Sequence, residues 1–148
     1  MSEPRVRPKI LVVDDSELCL EVVRMQLEAR GFYVTCMDSP IGFGAALQRE
    51  RPDLALVDAC MPALDGAKLI AIVRQHGPAC CPILLHSDRP EAELQRLVEA
   101  SGADGYIVKT SDGARLERTI REKLLVLSRV RSREPAGVPD AFKSRGTG

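Results

Sequence analysis

Short apolar runs alternate along this chain with longer stretches of helical period. Five such runs stand out: Ile10–Val13, about Phe32–Met37, Leu54–Val57, Ile83–His86 and Tyr106–Val108. Apolar runs of this length between helical segments are typical of repeated βα units rather than of hairpins. Because helical crossovers join parallel strands and are right-handed almost without exception, the pattern predicts a doubly wound α/β fold with a five-stranded parallel sheet and five helices.

The first helix shows the helical period clearly. Leu18, Val22, Met25 and Ala29 recur at i, i+4, i+7 and i+11, and we expect this stripe to form the apolar face of the helix. Ser16 precedes the helix as a candidate cap, and Gly31 follows it as a residue able to adopt the left-handed conformation.

The other four helices are predicted from similar signals. The second helix starts at Ser39–Pro40, and Gly42 and Gly44 weaken its first turn; the third spans Gly66 to His76 and is stopped by Gly77–Pro78. The fourth helix runs from about Pro90 to Ala100 and ends at Gly102, and we expect it to bury Leu94, Leu97 and Val98. The fifth helix runs from about Gly113 to Val130, and its apolar face consists of Leu116, Ile120, Leu124 and Leu127. We therefore predict an N-terminal extension over 1–8, one domain over 9–130 and a disordered tail over 131–148.

Composition narrows the function further. The chain has 148 residues, which suits one domain, and its 21 basic and 21 acidic residues give a net charge of zero. Because the chain has no excess of basic residues, its charge gives no support for direct binding to nucleic acid or to an anionic membrane. The five cysteines lack metal-ligand spacing and indicate reduced thiols, and no signal peptide or spanning segment is visible, so we expect a cytoplasmic protein.

Polar side chains follow four of the predicted strands. Asp14 and Asp15 follow the first, Asp58 the third, Ser87 the fourth and Lys109 the fifth. Since the carboxyl ends of parallel strands lie along one edge, where open α/β sheets place their ligands, we expect these groups to converge. Three carboxylates of this kind suit Mg²⁺, or Mn²⁺, better than zinc.

Asp58 is the candidate nucleophile of this cluster. A carboxylate can accept a phosphoryl group when a metal and a cation such as Lys109 screen the charge that develops. Ser87 could donate its hydroxyl to a phosphoryl oxygen. The structural alternatives are that Asp15 or Ser16 only caps the first helix, that Ser87 only caps the fourth, and that Lys109 is solvated.

The same residues form a family pattern. The acid pair Asp14–Asp15, the sequence DACMPALDG across Asp58 to Gly66, Ser87, and YIVK at Tyr106 to Lys109 resemble the receiver domain of two-component response regulators over about Lys9 to Arg129. The resemblance implies the flavodoxin-like strand order 2-1-3-4-5. A stand-alone, single-domain receiver is the expectation, since we see no output module after the fifth helix.

The resemblance also implies residue roles. Asp58 would accept a phosphoryl group from a histidine kinase or phosphotransfer protein and contact the metal. Asp15 would bind Mg²⁺ directly, Asp14 largely through water, and the backbone carbonyl of Cys60 would complete the protein ligands. Lys109 and Ser87 would bind the phosphoryl group.

Signalling would follow from a switch. Ser87 would move toward the phosphoryl group and Tyr106 would turn inward, changing the surface of the fourth helix, fifth strand and fifth helix for an unidentified downstream protein. The chain would not be an enzyme in the ordinary sense, because it would assist only its own phosphorylation and dephosphorylation. Leu125 and Val126 are apolar residues outside the main stripe of the fifth helix, and they raise the hypothesis of a homodimer or of partner docking through this helix. A monomeric mass with and without a phosphoryl mimic would exclude the dimer.

Two positions depart from the family pattern. Thr110 stands where a proline preceded by a cis bond usually follows the lysine, so we expect a trans Lys109–Thr110 bond and an altered approach of the ammonium. Asp88 stands where a small residue is usual, and it either repels the phosphoryl group or points outward and caps the fourth helix. Redox sensing by Cys60 has no visible activating neighbour, and His86 and His76 are interpreted as structural.

These departures keep a second hypothesis open. A pseudo-receiver would act as a phosphorylation-independent protein-binding module with a silent pocket. Enzymes of related chemistry fit less well: an aspartyl-phosphate phosphatase of the haloacid-dehalogenase type needs an acid at the position of Cys60, and a flavodoxin would not place two acids beside a flavin phosphate.

Overall fold

The computed structural model describes residues 7–62, 64–75 and 81–133, with side chains described as far as Leu127. Five strands alternate with five helices, as predicted. Their bounds are β1 (Lys9–Val13), α1 (Glu17–Glu28), β2 (Tyr33–Met37), α2 (Phe43–Glu50), β3 (Leu54–Asp58), α3 (Gly66–Gln75), β4 (Ile83–Ser87), α4 (Glu91–Ser101), β5 (Gly105–Val108) and α5 (Gly113–Arg133).

All strand pairs are parallel, and the strand order is β2-β1-β3-β4-β5. The predicted fold class and order are therefore confirmed. The register sets Asp58 beside His86 on the neighbouring strand, and Val13 beside Val57. Asp14, the residue after Val13, consequently lies at the same edge of the sheet as Asp58.

Two apolar layers cover the sheet, one on each face. Alternation along β3 separates them, since Leu54 and Leu56 belong to one layer and Ala55 and Val57 to the other. The first layer includes residues of α1 and α5, and the second includes residues of α2, α3 and α4. Buried helical members of the two layers are Leu20, Val23, Leu27, Leu116 and Ile120, against Phe43, Leu47, Leu69, Ile70 and Leu94.

The predicted apolar face of α1 is wrong. Leu18 and Met25 are 74% and 62% exposed, and Val22 and Ala29 are exposed as well. The buried residues are Leu20, Val23 and Leu27. At about 100° per residue these two sets point in nearly opposite directions, so α1 carries two apolar stripes and the sheet covers only one of them.

The predicted start of α2 is also wrong. The helix begins at Phe43, not at Ser39–Pro40, and Gly42 occupies the N-cap position with φ at 85°. Ser39 accepts a hydrogen bond from the backbone N–H of Ile41 at 3.1 Å, which closes a local turn. Because a left-handed residue cannot continue a right-handed helix, Gly42 separates that turn from α2.

The ends of α3, α4 and α5 follow the sequence signals with small differences. Within the described ranges α3 ends at Gln75, and the predicted stop at His76 to Pro78 lies outside them. Gly102, with φ at 83°, ends α4 as predicted. Helix α5 continues three residues beyond Val130, because proline and glycine are absent until Pro135.

Residues 1–6 and 134–148 lie outside the described part, including most of the predicted extension and tail. Leu125 and Val126 are 54% and 55% exposed on α5. Among the described helices, none combines the length and the apolar character that crossing a membrane would require.

Candidate functional site

Three carboxylates meet at the carboxyl edge of the sheet. Asp14 directly follows β1, Asp15 is exposed beside it, and Asp58 ends β3. One oxygen from each of the three lies within 4.8 Å of the others. The predicted convergence of the acidic residues is therefore what the structure shows.

The turn from β1 into α1 holds Asp14 in this cluster. Its Oδ1 accepts a hydrogen bond from the backbone N–H of Ser16 at 2.9 Å. Ser16 in turn caps α1, with Oγ accepting from the N–H of Cys19 at 3.2 Å. The alternative role of Ser16 as a helix cap is thus correct, and it operates together with the acidic cluster rather than instead of it.

Lys109 directly follows β5 and reaches into the cluster. Its Nζ donates to Asp14 Oδ2 at 2.9 Å and lies 3.4 Å from Asp58 Oδ1. Its backbone N–H donates to the carbonyl of Ser87 at 2.9 Å, which continues the pairing of β5 with β4. The peptide bond to Thr110 is trans, as predicted, and the ammonium still contacts both carboxylates.

Burial and neighbouring charges raise the pKa values of both Asp58 and Lys109. Burial raises the pKa of the Asp58 carboxyl, the nearby Lys109 ammonium opposes that rise, and Asp14 adds to it. Burial alone would lower the pKa of Lys109, but its hydrogen bond to Asp14 and the charge of Asp58 outweigh it and raise that pKa. Lys109 is therefore a permanent cation beside a desolvated carboxylate.

The loop after β3 packs tightly against the backbone of Asp58. A Cβ atom on Gly66 would stand 2.2 Å from the carbonyl oxygen of Asp58, so the chain can return here only with glycine. The N–H of Gly66 donates to the carbonyl of Ala59 at 3.3 Å, and the N–H of Cys60 donates to Asp58 Oδ1 at 3.4 Å. The glycine of the DACMPALDG sequence therefore fixes the loop that surrounds Asp58.

Ser87 is buried at the end of β4. Its Oγ accepts a hydrogen bond from the backbone N–H of Arg89 at 3.1 Å, so the hydroxyl is held by the start of the next loop. Helix α4 has Pro90 as its N-cap and no side-chain cap hydrogen bond. The alternative that Ser87 caps α4 is therefore wrong.

Tyr106 lies on β5 and packs against the apolar layer that contains Leu94 of α4. Its hydroxyl donates to Glu91 Oε1, in the first turn of α4, at 2.8 Å. This contact ties β5 to α4 in the structure. Of the proposed switch residues, Ser87 is thus bonded to the loop before α4, and Tyr106 is bonded to the first turn of α4.

Asp88 is exposed, and among the described residues its carboxylate has no hydrogen-bond or ion-pair partner. Its predicted role as the cap of α4 is wrong, because Pro90 occupies that position without a side-chain cap. Pro90 has the extended conformation of an N-cap, which leaves Asp88 two residues too early.

Two contacts of the site were not predicted. The Nε–H of Arg89 donates to Cys60 Sγ at 2.9 Å, and the same guanidinium pairs with Glu93. On the other side of the cluster, Lys109 Nζ lies 3.9 Å from Cys19 Sγ. Cys60 therefore does have a cationic neighbour, contrary to the sequence interpretation. The pairs are 29 and 90 residues apart, so no local pattern indicates them.

His86 is buried beside Asp58 on β4. Burial, assisted by the charge of Lys109, lowers its pKa to about 4, with Asp14 opposing the shift. The imidazole is therefore neutral at pH 7, which agrees with a structural role. His76 lies outside the described residues.

The donor set fits a hard divalent cation. Three carboxylate oxygens lie close together, Asp15 is open to solvent, and no histidine or thiol joins them in the described part of the chain. Mg²⁺ and Mn²⁺ prefer such oxygen ligands and retain bound water, which an open edge permits. The position of the Cys60 carbonyl as a further ligand stays a prediction.

Comparison with known proteins agrees with this geometry. Residues 10–121 match the response regulator receiver domain. The transcriptional regulatory protein CseB of Streptomyces coelicolor is 34% identical over 115 residues, which cover 78% of this chain and 48% of that protein. An uncharacterized 14.6 kDa protein of Leptolyngbya boryana is 33% identical over 118 residues, covering 78% of this chain and 89% of its own length.

Solved structures show the same fold. The chemotaxis protein CheY4 of Vibrio cholerae superposes with a TM-score of 0.70 at 27% identity, covering 78% of this chain and 98% of that one. A CheY-like receiver domain protein from Methanospirillum hungatei gives 0.71 at 26% identity, covering 83% and 98%. The chain spans about half the length of the first curated relatives it matches. Since the family match covers most of the described fold and the acidic cluster with its lysine is in place, this chain belongs to the response regulator receiver domain family.

Proposed function

We propose that the chain is a receiver that accepts a phosphoryl group on Asp58 within a phosphorelay. One observation carries the proposal: Lys109 Nζ lies 2.9 Å from Asp14 and 3.4 Å from Asp58 within a pocket of three carboxylates. A nucleophilic carboxylate, a cation for the developing charge and a set of hard metal ligands are the parts that phosphoryl transfer to an aspartate requires.

The two oxygens of Asp58 differ in their surroundings. The contacts from Lys109 and from the N–H of Cys60 both fall on Oδ1, and among the described residues none falls on Oδ2. Oδ2 is therefore the oxygen we assign as nucleophile. It forms the bond to phosphorus while the bond from phosphorus to the donor breaks and the donor leaves with that electron pair.

Lys109 supplies fixed positive charge beside the reacting oxygen. The ammonium is already bound in the pocket, so little reorganisation is needed when negative charge develops on the phosphoryl oxygens. Asp14, Asp15 and Asp58 would hold Mg²⁺, which supplies further charge neutralisation when bound. Ser87 would donate its O–H to the phosphoryl group, because the N–H of Arg89 occupies only a lone pair of Oγ.

The output would pass through the surface of α4, β5 and α5. Movement of Ser87 would change the loop that leads into α4, and the Tyr106–Glu91 hydrogen bond joins the first turn of α4 to β5. A phosphoryl group switches such a surface only if it favours one of two packings by a few kcal/mol. We propose that an unidentified downstream protein binds this surface, and that a histidine kinase or phosphotransfer protein donates the phosphoryl group.

The proposal includes a cytoplasmic receiver that assists only its own phosphorylation and dephosphorylation. It is tested by intact-mass spectrometry after incubation with acetyl phosphate and Mg²⁺. We expect one phosphoryl mass increment that is lost with a chelator and in Asp58→Asn. Glu99→Gln is the matched control, since this exposed carboxylate of α4 has no contact with the pocket among the described residues, and it should retain the increment.

Absence of the increment in the unmodified protein would contradict the proposal and favour the pseudo-receiver, a binding module with a silent pocket. Two departures from the family pattern favour the pseudo-receiver, Thr110 and Asp88. Thr110 is expected to alter the approach of Lys109, but the ammonium reaches Asp14 and Asp58 although the bond to Thr110 is trans, so this argument is weakened. The remaining support is Asp88. If the unmodified protein is not labelled, labelling of an Asp88→Ala variant would show that this carboxylate repels the donor.

A further inference from the structure

We infer that Cys19 is a positioning residue for Lys109, and that its thiol holds the ammonium in place while the carboxylates of the pocket change partners. This inference rests on the proposed phosphorylation of Asp58. Cys19 Sγ lies 3.9 Å from Lys109 Nζ, a distance suited to an N–H donor and a sulfur acceptor. No feature of the family pattern involves this cysteine.

A closed ring of contacts places the thiol. Asp14 Oδ1 accepts from the N–H of Ser16, and Ser16 Oγ accepts from the N–H of Cys19. Cys19 Sγ faces Lys109 Nζ, and Lys109 Nζ returns to Asp14 Oδ2. The helix cap that orients Asp14 therefore also sets the position of the thiol. Cys19 is only partly buried, so packing alone does not account for its place.

The thiol differs in kind from the other two neighbours of the ammonium. An ammonium has three N–H donors, and Lys109 directs them toward Asp14, Asp58 and Cys19. Asp14 and Asp58 are the oxygens that a hard divalent cation and a phosphoryl group would engage. Sulfur is a soft donor and a poor ligand for such a hard cation, so the Cys19 contact persists when the carboxylates are engaged elsewhere.

Thr110 gives this contact added importance. The family pattern usually has a proline after the lysine, and here the backbone after Lys109 lacks that constraint. The strand pairing still fixes the backbone N–H of Lys109 on Ser87, but the long side chain must be oriented by its own contacts. Among the described residues, Cys19 supplies the only such contact that comes from a sulfur atom and not from a carboxylate.

The test measures the initial rate of Asp58 phosphorylation by acetyl phosphate at saturating Mg²⁺. Cys19→Ala and Cys19→Val remove the acceptor, and Val keeps most of the apolar volume. We expect both to be slower by about three- to tenfold, the effect of one weak hydrogen bond on a rate. Cys19→Ser, which restores an acceptor, should return to within about twofold of the wild-type rate.

Cys36→Ala is the matched control. Cys36 is also partly buried, but its thiol faces the carbonyl of Leu20 and not the pocket. The Cys36→Ala protein should be phosphorylated at the wild-type rate. A wild-type rate in Cys19→Val would overturn the inference, whereas absence of phosphorylation in the wild type would overturn the proposed function instead.

A second measurement does not depend on activity. With ¹³C-labelled lysine, the ε-methylene resonance of Lys109, assigned from Lys109→Arg, should move in metal-free Cys19→Val. The resonances of Lys9 and Lys68, which lie on other parts of the fold, should stay. An unmoved Lys109 resonance in a folded Cys19→Val protein would also overturn the inference.

Discussion

At the scale of single residues, the pocket places a buried carboxylate, which costs free energy on folding, beside an ammonium that offsets part of that cost. Asp58 is 6% exposed, and burial raises the pKa of its carboxyl. Lys109 compensates part of this cost by contacting Asp14 and Asp58 together. Such a pocket is suited to accept further cations, and it makes the metal-free protein less stable than a neutral pocket would.

Asp58→Asn should therefore raise the melting temperature of the metal-free protein at pH 7. A raised carboxyl pKa means that the folded state binds more protons than the unfolded state, so ionised Asp58 lowers stability as pH rises through that range. An amide removes the charge at similar volume. Scanning calorimetry with a chelator measures the change, and Asp88→Asn should show none. A lower melting temperature in Asp58→Asn would contradict this account of the pocket.

His86 should make the protein sensitive to mild acid. Its folded pKa of about 4 lies below the ordinary value of 6.5, so between these values the unfolded state binds more protons and stability falls as pH falls. The loss should approach roughly 3 kcal/mol near pH 4. Urea unfolding at a series of pH values from 7 to 4 measures this loss of stability. The loss in His86→Leu should be smaller than in the wild type by about the same amount. Parallel pH profiles in the two proteins would exclude His86 as the cause.

At the scale of elements, α1 shows how the sheet selects one of two apolar stripes. Leu20 and Leu27 are buried against the sheet, whereas Leu18 and Met25 are exposed on the opposite side. Local periodicity fits both stripes, and the sequence interpretation selected the exposed one. The Ser16 cap and the Asp14 contact are local and fix only where the helix begins. The rotation of the helix is set by the packing of Leu20, Val23 and Leu27 against the sheet, which no short window of the sequence contains.

This assignment predicts a large difference between two leucines of α1. Leu20→Ala removes a buried side chain and should lower the free energy of unfolding by about 2 to 5 kcal/mol. Leu18→Ala removes an exposed one and should change it by less than about 0.5 kcal/mol. Urea denaturation of both variants provides the comparison. Equal losses would show that the helix is rotated from its position here.

Two glycines provide a matched test of the loop around Asp58. Gly66→Ala would place a Cβ atom 2.2 Å from the Asp58 carbonyl oxygen, so the loop or β3 must shift. Gly44, in α2, has open space around the same position. We expect Gly44→Ala to stabilise the protein by up to about 1 kcal/mol, because alanine favours helix. Gly66→Ala should lower both stability and phosphorylation, and a neutral effect would contradict the tight loop.

At the scale of the whole molecule, the fold could be predicted because its signals are local. Strand runs, helix periods and caps such as Gly102 lie within short windows, and the parallel topology brings the strand ends together. Contacts between side chains distant in sequence could not be predicted. Cys19 meets Lys109 across 90 residues, and Arg89 meets Cys60 across 29, and these pairs depend on helix rotation and loop path.

Chemical trapping of the acyl phosphate tests the central claim most directly. The protein is incubated with acetyl phosphate and Mg²⁺ and reduced with borohydride, which converts an aspartyl phosphate to homoserine, and peptides are sequenced by mass spectrometry. We predict homoserine at position 58, dependent on Mg²⁺, and unmodified aspartate at positions 14 and 15. Recovery of unmodified Asp58 under conditions that label another receiver domain would contradict the account.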